Sequence, residues 1–270
     1  MSSSITDYVF YESPLWLLTV GVFTLLIAAM EIGRRSGLWR SRKSKPTPDD
    51  HTRDGYIVTG VLGLLALLLG FTFSLAIDRF DARRSLAMQE SNSIQTALLR
   101  TDALNEPYRT KIRELVIAYI DNRLDAADLV AGKYADRIAQ KTDKLHAQIW
   151  HATVAMVKAN PSPIDMAFMD SINQMFDMAN GRKSASKAHV PSVVFILLVL
   201  YMTIASGVLG YVLTHSHRGL AVGFMLLLTL ALMVIVDIDG PTRGSLQDTQ
   251  IYIANLKKKL GAGAFDPSGN

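Results

Sequence analysis

The sequence predicts an all-α integral membrane protein, with four transmembrane helices in two pairs and a helical extramembrane segment between spans two and three. Its mean hydropathy is positive at +0.20, and only 19% of its residues are charged, whereas charged residues make up about a quarter of average soluble domains. The charges collect in residues 31–55 and 78–189 and nearly vanish from four apolar blocks. No run alternates between apolar and polar residues with a period of two, so no β-sheet is predicted.

The first pair of spans is assigned to residues 1–77. Span one covers about residues 14–32 and is preceded by Asp7 and Glu12 but by no lysine or arginine. A cleaved signal peptide needs a basic leader, so we expect a retained span. Span two, about residues 55–77, is uncharged and as a helix would be about 34 Å long, enough to cross a hydrocarbon core of about 30 Å. A basic loop, residues 31–55, is predicted between the two spans.

The second pair of spans is assigned to residues 190–236. Span three covers about residues 190–213 and span four about 220–236, and the link between them is so short that they are predicted to form an antiparallel hairpin. Small side chains allow close helix contacts in lipid, where there is no hydrophobic drive for association. Such residues are Gly60 and Gly63 in span two, and the four-spaced pairs Thr203 with Gly207 and Ser206 with Gly210 in span three.

Residues 78–189 are predicted to be a soluble segment of four helices. The clearest apolar stripe, at the i, i+3, i+4, i+7 spacing of an amphipathic helix, belongs to the second of these helices. The fourth helix is predicted to start at Ser162, where Asp165 completes a capping box, and to stop at Asn180-Gly181. Residues 237–270 are predicted to be an extramembrane tail that contains one short helix. The apolar stripe of the second soluble helix consists of Ile112, Leu115, Val116, Tyr119, Ile120 and Leu124.

Several residue patterns at the end of span two resemble those of a known family. Leu69-Gly70-Phe71 is followed at the predicted membrane edge by the run Arg79, Phe80, Arg83 and Arg84. This pattern is similar to the bestrophins, and it resembles more closely the bestrophin-like family of bacterial membrane proteins. That family also shares an acidic-glycine-proline turn after the last span, here Asp237 to Pro241. The resemblance covers about a third of the chain.

The resemblance implies a function and an orientation in the membrane. The number of basic residues near the spans does not by itself decide that orientation. Bestrophins are pentameric anion channels whose inter-pair region and termini lie in the cytoplasm. The resemblance therefore implies that this chain forms a homo-oligomer in the cell (inner) membrane that passes small anions, with residues 78–189 in the cytoplasm. Basic residues near the spans number eight on one side and ten on the other, which does not settle the orientation.

One face of span two is a candidate pore lining. The bestrophin neck is lined by bulky apolar residues at four-residue spacing, and the matching positions here are Gly63, Leu67 and Phe71, with Ser74 on the same face. Leu67 and Phe71 would form a dewetting constriction that opens to a polar ring at Ser74. Gly63 is too small for such a gate. The alternative is that this face meets lipid or another helix.

Charged residues at the membrane edge form a second candidate site. Arg79, Arg83 and Arg84 follow span two and would attract anions at a vestibule, whereas Asp237 and Asp239 follow span four and could bind a cation such as Ca²⁺. Bestrophins hold calcium with a longer acidic cluster than this one. The alternative for all five residues is salt bridges and lipid-headgroup contacts, which charges in such positions usually make.

Two further polar groups have two interpretations each. Glu90, Ser91, Asn92 and Ser93 form a polar belt in a helix that otherwise carries apolar stripes, and they could line an internal vestibule or face water. The two histidines of the short loop 214–219 could hold a metal, but solvation of the loop is the favoured interpretation. No metal site is therefore assigned.

Composition and motifs exclude several classes of function. The chain has no cysteine, which excludes disulfides, thiolate metal sites and cysteine nucleophiles. It also lacks a Gly-rich phosphate loop and the common catalytic motifs, so an enzyme is not expected. The net charge of +4 is attributed to juxtamembrane residues near anionic lipid, not to nucleic-acid binding. Two hypotheses remain: an anion channel, and a non-conducting membrane scaffold or sensor whose soluble helices bind a partner.

Overall fold

A computed structural model describes residues 13–43, 48–128, 133–159, 161–212, 218–240 and 251–262 of the chain. Within these ranges the regular secondary structure is helical and no strand occurs. A short 3-10 turn, Thr101–Ala103, lies between the second and third helices. The α-helices are α1 (Leu15–Lys43), α2 (Pro48–Arg100), α3 (Tyr108–Asp128), α4 (Lys133–Ala159), α5 (Pro163–Ser186), α6 (Ser192–Val212), α7 (Arg218–Asp239) and α8 (Ile251–Gly261).

Four of these helices, α1, α2, α6 and α7, are long and apolar enough to cross a membrane. They coincide with the four predicted spans, so the predicted fold class is confirmed. Residues 213–217 between α6 and α7, which include the two histidines, lie outside the described residues.

The first two spanning helices are longer than their apolar stretches. Helix α1 continues to Lys43, and at the end of its apolar stretch the Glu31 carboxylate accepts hydrogen bonds from Arg34 and Arg35. Helix α2 begins at Pro48, so the described part of residues 31–55 is helical and not a loop. Arginine and lysine are good helix formers, and a loss of hydrophobicity alone does not end a helix.

The chain divides into two compact units. The membrane unit comprises Met1–Phe80 and His189–Gly244, and the extramembrane unit comprises Asp81–Ala188 and Ser245–Asn270. Helix α2 runs through the boundary at residue 80 and contributes to both. With 53 residues at 1.5 Å each, α2 is about 80 Å long.

Helices α1 and α6 pack closely in the membrane unit. The backbone of α1 at Met30 meets Gly210, and a Cβ atom added to Gly210 would lie 2.8 Å from the Met30 carbonyl carbon. The Ser206 hydroxyl donates a buried hydrogen bond of 2.6 Å to the Leu26 carbonyl. The contacts predicted for Ser206, Gly207 and Gly210 are confirmed, because small side chains here let two backbones approach.

The extramembrane unit has its own apolar core. The predicted stripe of α3 supplies Ile112, Val116, Tyr119 and Ile120, all of them completely buried. Full burial of an aliphatic side chain of this size contributes about 1.5–3 kcal/mol, so this stripe stabilises the unit substantially. The other buried members of the core are Ile94, Ala97, Leu98 and Leu104, Leu145, Ile149, Ala152 and Met156 of α4, Phe168, Ile172 and Met175 of α5, and Ile253 and Leu256 of α8.

Helix α5 begins as its sequence predicts and ends later. The Ser162 hydroxyl accepts a hydrogen bond of 3.2 Å from the backbone N–H of Asp165 and donates one of 2.7 Å to its carboxylate. The helix then passes through Asn180-Gly181 to Ser186. Gly181 lies against α2, where a Cβ would be 3.5 Å from Leu86, so it marks a close approach and not a helix end.

Candidate functional site

The predicted pore face of α2 is not covered by its own chain. Gly63, Leu67, Phe71 and Ser74 are all exposed in the single chain, Leu67 to 53% and Phe71 to 62%. In the most apolar stretch of α2 only 17% of the residues are buried, as in α1, against 39% in α6 and 44% in α7. The structure thus keeps the four residues together on one accessible face.

Small residues differ in their surroundings between α2 and α6. A Cβ added to Gly60, Gly63 or Gly70 of α2 would meet no neighbouring atom within 4 Å, apart from the helix's own backbone and adjacent residues. Added to Gly210 of α6, it would meet the backbone of α1. The helix contact predicted at Gly60 and Gly63 is therefore absent within the described part of the chain. A surface of small residues on α2 remains open to lipid, to solvent or to another molecule.

The three predicted edge arginines have different surroundings. Arg79 is half-buried and belongs to the membrane unit. In the extramembrane unit, Arg83 is buried to 92% of its surface, and Arg84 is exposed and donates a hydrogen bond of 3.1 Å to the Tyr252 hydroxyl of α8. These residues do not present one uniform ring of free guanidinium groups.

The two predicted cation ligands are also unlike each other. Asp239 is completely buried, and its carboxylate accepts the backbone N–H of Val190 at 3.0 and 3.2 Å. This bond ties the end of α7 to the segment that leads into α6. Asp237 is half-buried, and the described residues contain no cluster of three or more acidic or histidine side chains that could hold a metal ion. The geometry gives Asp239 a structural role.

Glu90 lies at the centre of a buried ionic network in the extramembrane unit. Its carboxylate is completely buried, 3.1 Å from Arg123 Nε of α3 and 2.8 Å from Arg182 Nε of α5. The Tyr119 hydroxyl donates a third contact, a hydrogen bond of 3.1 Å. A carboxylate that leaves water needs such compensation, because its desolvation costs several kcal/mol.

The polar belt is divided between buried and accessible positions. Glu90 and Ser91 are buried, the Ser91 hydroxyl donates to the Tyr252 carbonyl, and Asn92 alone of the four is exposed. The belt therefore faces neighbouring helices of its own unit at two of its four positions. Arg123 and Arg182 were not identified from the sequence. The one available signal was Arg123, which follows Tyr119 by four residues on the buried stripe of α3.

Burial dominates the electrostatics of this network. It raises the pKa of the Glu90 carboxyl, whereas Arg123 and the Tyr119 hydroxyl lower it. Burial also raises the pKa of the Tyr119 hydroxyl, which therefore stays protonated as a donor. The pKa of His146, whose ring centroid lies 5.0 Å from that of Tyr119, is lowered, again chiefly by burial. Neutral His146 and neutral Tyr119 thus surround an ionic centre.

Known structures share this fold. Two crystal structures of single-residue variants of a bacterial bestrophin homologue from Klebsiella pneumoniae match it, each with a TM-score of 0.63. They are 13% and 14% identical in sequence, and the matches cover 89% and 92% of this chain and 97% and 99% of theirs. A variant of a protein described only as a membrane protein matches with a TM-score of 0.62, 15% identity and coverage of 90% and 97%. At such identities the likeness shows a common fold.

The sequence itself matches a family model. Comparison with curated proteins gave no match to this sequence. The model described as the Bestrophin-like domain, however, matches residues 36–247, which include α2 to α7 and most of both units. This match extends well beyond the motifs around span two and confirms the resemblance drawn from them. The chain therefore belongs to the Bestrophin-like family.

Proposed function

We propose that the chain forms a homo-oligomeric channel that passes small anions, with the α2 helices of its copies around a central axis. Membership of the Bestrophin-like family and the fold shared with a bacterial bestrophin homologue support a channel. The resemblance to bestrophins supports a pentamer in the cell inner membrane, with the extramembrane unit in the cytoplasm.

The observation that carries the proposal is the uncovered face of α2. Glycines in membrane helices usually lie where another helix approaches, and those of α6 do so within the chain. Gly60, Gly63 and Gly70 of α2 meet nothing in the described part of their own chain. A second copy of α2, or the pore that several copies enclose, supplies the missing neighbour.

The chemistry of this face suits a gated pore for weakly hydrated ions. Leu67 and Phe71 would narrow the pore with apolar side chains, which gate by excluding water. Ser74 follows one turn later, and its hydroxyl can donate a hydrogen bond to an anion that has passed the apolar constriction. Arg79, just past this turn, adds positive potential where an anion enters or leaves.

Calcium is not part of this proposal. The carboxylate of Asp239 is engaged with the Val190 backbone N–H and is completely buried, so a metal ion would have to displace that contact. Asp237 alone offers too few oxygen ligands for Ca²⁺, which takes six to eight.

The proposal is tested by anion flux from liposomes that contain the full-length chain. We expect the wild-type protein to release halide and Leu67→Ala to release it faster, because the smaller side chain lowers the dewetting barrier. Leu197→Ala is the matched control: Leu197 on α6 is exposed to 52%, nearly the same as Leu67 at 53%, but lies outside the proposed pore.

Two outcomes contradict the proposal. One is the absence of halide release from liposomes in which the protein is shown to be inserted. The other is an equal change in flux for Leu67→Ala and Leu197→Ala, which would show that the flux does not depend on the α2 face in particular. A non-conducting oligomer that retains a stoichiometric partner through residues 78–189 would favour the scaffold or sensor hypothesis.

A further inference from the structure

The extramembrane unit contains a cavity beside the Glu90 network. Its volume is about 340 Å³, and residues of α3, α4 and α5 line it. This volume lies in the range of small-molecule sites and is about ten times the share of one water molecule in the liquid. The lining residues are Tyr119, Arg123, Ile138, Ala139, Thr142, Asp143, His146, Ala179, Asn180, Arg182, Lys183 and Ser186.

The cavity has an excess of positive charge. Three cationic side chains line it, Arg123, Arg182 and Lys183, against the carboxylate of Asp143. The Glu90 carboxylate, behind the two arginines, neutralises one more of these charges. One positive charge therefore remains uncompensated among these groups, and a bound anion would balance it.

The ionic network also orients the arginines. Arg182 is held through its Nε atom, 2.8 Å from Glu90 Oε2, and its terminal nitrogens make no hydrogen bond with the described residues. A guanidinium group that is fixed at one edge and has donors left at the other can bind a carboxylate or phosphate at little entropic cost. Lys183, next in sequence, is exposed and forms no ion pair with the described residues.

Other lining groups complete a polar site with an apolar wall. The ring of His146 also lines the cavity, although its Nε2 atom is buried and not accessible from it. Asn180 and Ser186 add polar groups near the two cations on α5, whereas Ile138 and Ala139 form an apolar wall on α4.

We propose that this cavity binds a small water-soluble organic anion. Arg182 and Lys183 would contact its carboxylate or phosphate group, and Ile138 and Ala139 would contact its carbon skeleton. The inference does not depend on conduction, because the site lies within the extramembrane unit.

The test uses the full-length chain in mild detergent and isothermal titration calorimetry with three probes: inorganic phosphate, succinate and adenosine monophosphate. We expect at least one probe to bind at one site per chain with a Kd at or below about 1 mM. The affinity for succinate, compared with that for inorganic phosphate, shows whether the site recognises a carboxylate or a phosphate group. Adenosine monophosphate against inorganic phosphate shows whether a carbon skeleton adds affinity.

Charge reversal at an exposed position identifies the site without disturbing the fold. Lys183→Glu should weaken binding at least tenfold, since it removes a charge-assisted hydrogen bond to the anion and adds repulsion. Lys158→Glu is the matched control, because Lys158 is also an exposed lysine of this unit but does not line the cavity. Calorimetry on these two variants avoids substitution of Arg123 and Arg182, which would disturb the ion pairs with Glu90.

Three results would overturn the inference. They are the absence of binding by all three probes, equal affinity in Lys183→Glu and the wild type, and equal weakening by Lys183→Glu and Lys158→Glu. Halide flux is measured in parallel, so that a failure of the anion site remains separate from a failure of the channel proposal.

Discussion

At the scale of single residues, the buried carboxylate of Glu90 has the largest electrostatic consequences. It is completely buried, and its two arginine partners come from α3 and α5, so one side chain links three helices of the extramembrane unit. Removing one member of such a network leaves uncompensated charge in the interior, which costs more than the network contributed. The network therefore acts as a requirement for correct packing more than as a source of stability.

The first prediction concerns this carboxylate. We expect Glu90→Gln to destabilise the extramembrane unit by about 3 kcal/mol, because Arg123 and Arg182 lose their counter-charge. The melting temperature of the full-length protein in detergent measures the loss. Glu114→Gln makes the same chemical change at an exposed position and should leave the melting temperature nearly unchanged. Equal melting temperatures for the two variants would show that the network does not constrain the fold.

The second prediction concerns pH. Burial lowers the pKa of His146, so the native protein resists a proton that the unfolded chain accepts below about pH 6.5. Stability should therefore fall as the pH drops from about 6.5 toward the lowered pKa of the native state. The rising protonation of Glu90, whose pKa is raised, acts in the opposite direction in wild type and variant alike.

Melting temperatures at about pH 7 and about pH 5 isolate the histidine, since this interval spans its ordinary pKa. We expect His146→Gln to lose less stability over this interval than the wild type. His151→Gln, an exposed histidine on the same helix, should behave like the wild type. If His146→Gln showed the same pH dependence as the wild type, the lowered pKa of His146 would be refuted.

Residue-scale features differed in how far the sequence could predict them. The capping pair Ser162 and Asp165 was predicted correctly, because its partners are three residues apart and their geometry is local. The partners of Glu90 come from two other helices, and no local pattern identifies such long-range contacts.

At the scale of elements, the α1–α6 pair organises the membrane unit. Its contact depends on glycine where two backbones meet, and lipid on the outer surfaces offers no hydrophobic compensation for a poor fit. The small residues of α6 predicted this contact. The partner helix could not be predicted, because small residues on one helix do not specify which neighbour approaches.

The third prediction tests that contact. Gly210→Leu should separate the helices and cost about 2 kcal/mol, since even a Cβ atom would overlap the Met30 backbone. Gly223→Leu on α7 is the control, because a Cβ there meets no neighbouring atom within 4 Å. Thermal unfolding in detergent should show a lower melting temperature for Gly210→Leu only. A reversed order would contradict the α1–α6 packing.

The fourth prediction concerns the tie between α7 and the start of α6. Asp239→Ala should destabilise the protein by about 2 kcal/mol, because the buried Val190 N–H loses its acceptor. The wild-type melting temperature should not change when EGTA removes calcium, since the carboxylate already accepts the Val190 backbone N–H. A calcium-dependent rise in melting temperature that Asp239→Ala abolishes would instead make this residue a metal ligand.

At the scale of the whole molecule, the membrane character of the chain could be predicted from sequence and the assembly of its distant parts could not. Four uncharged stretches must be solvated by lipid, and this needs no knowledge of tertiary contacts. The tail helix α8, by contrast, joins the extramembrane unit, where Lys257 pairs with Asp121 of α3 at 2.9 Å. Its amphipathic sequence indicates a buried face but not the partner that covers it.

The uncovered face of α2 is the whole-molecule feature on which the functional account depends. Within the described part of the chain Gly63, Leu67 and Phe71 are exposed, and in the proposed assembly several copies would enclose them. If α2 faces lipid, another helix must surround the symmetry axis of the oligomer. The position of α2 in the assembled protein therefore distinguishes the two arrangements.

Electron cryo-microscopy of the full-length protein in lipid nanodiscs tests this claim most directly. We expect a ring of copies, five by the resemblance, with the α2 helices around the axis and Leu67 and Phe71 facing it. A monomer, or an oligomer in which this face of α2 lies against lipid at the outer surface, would contradict it.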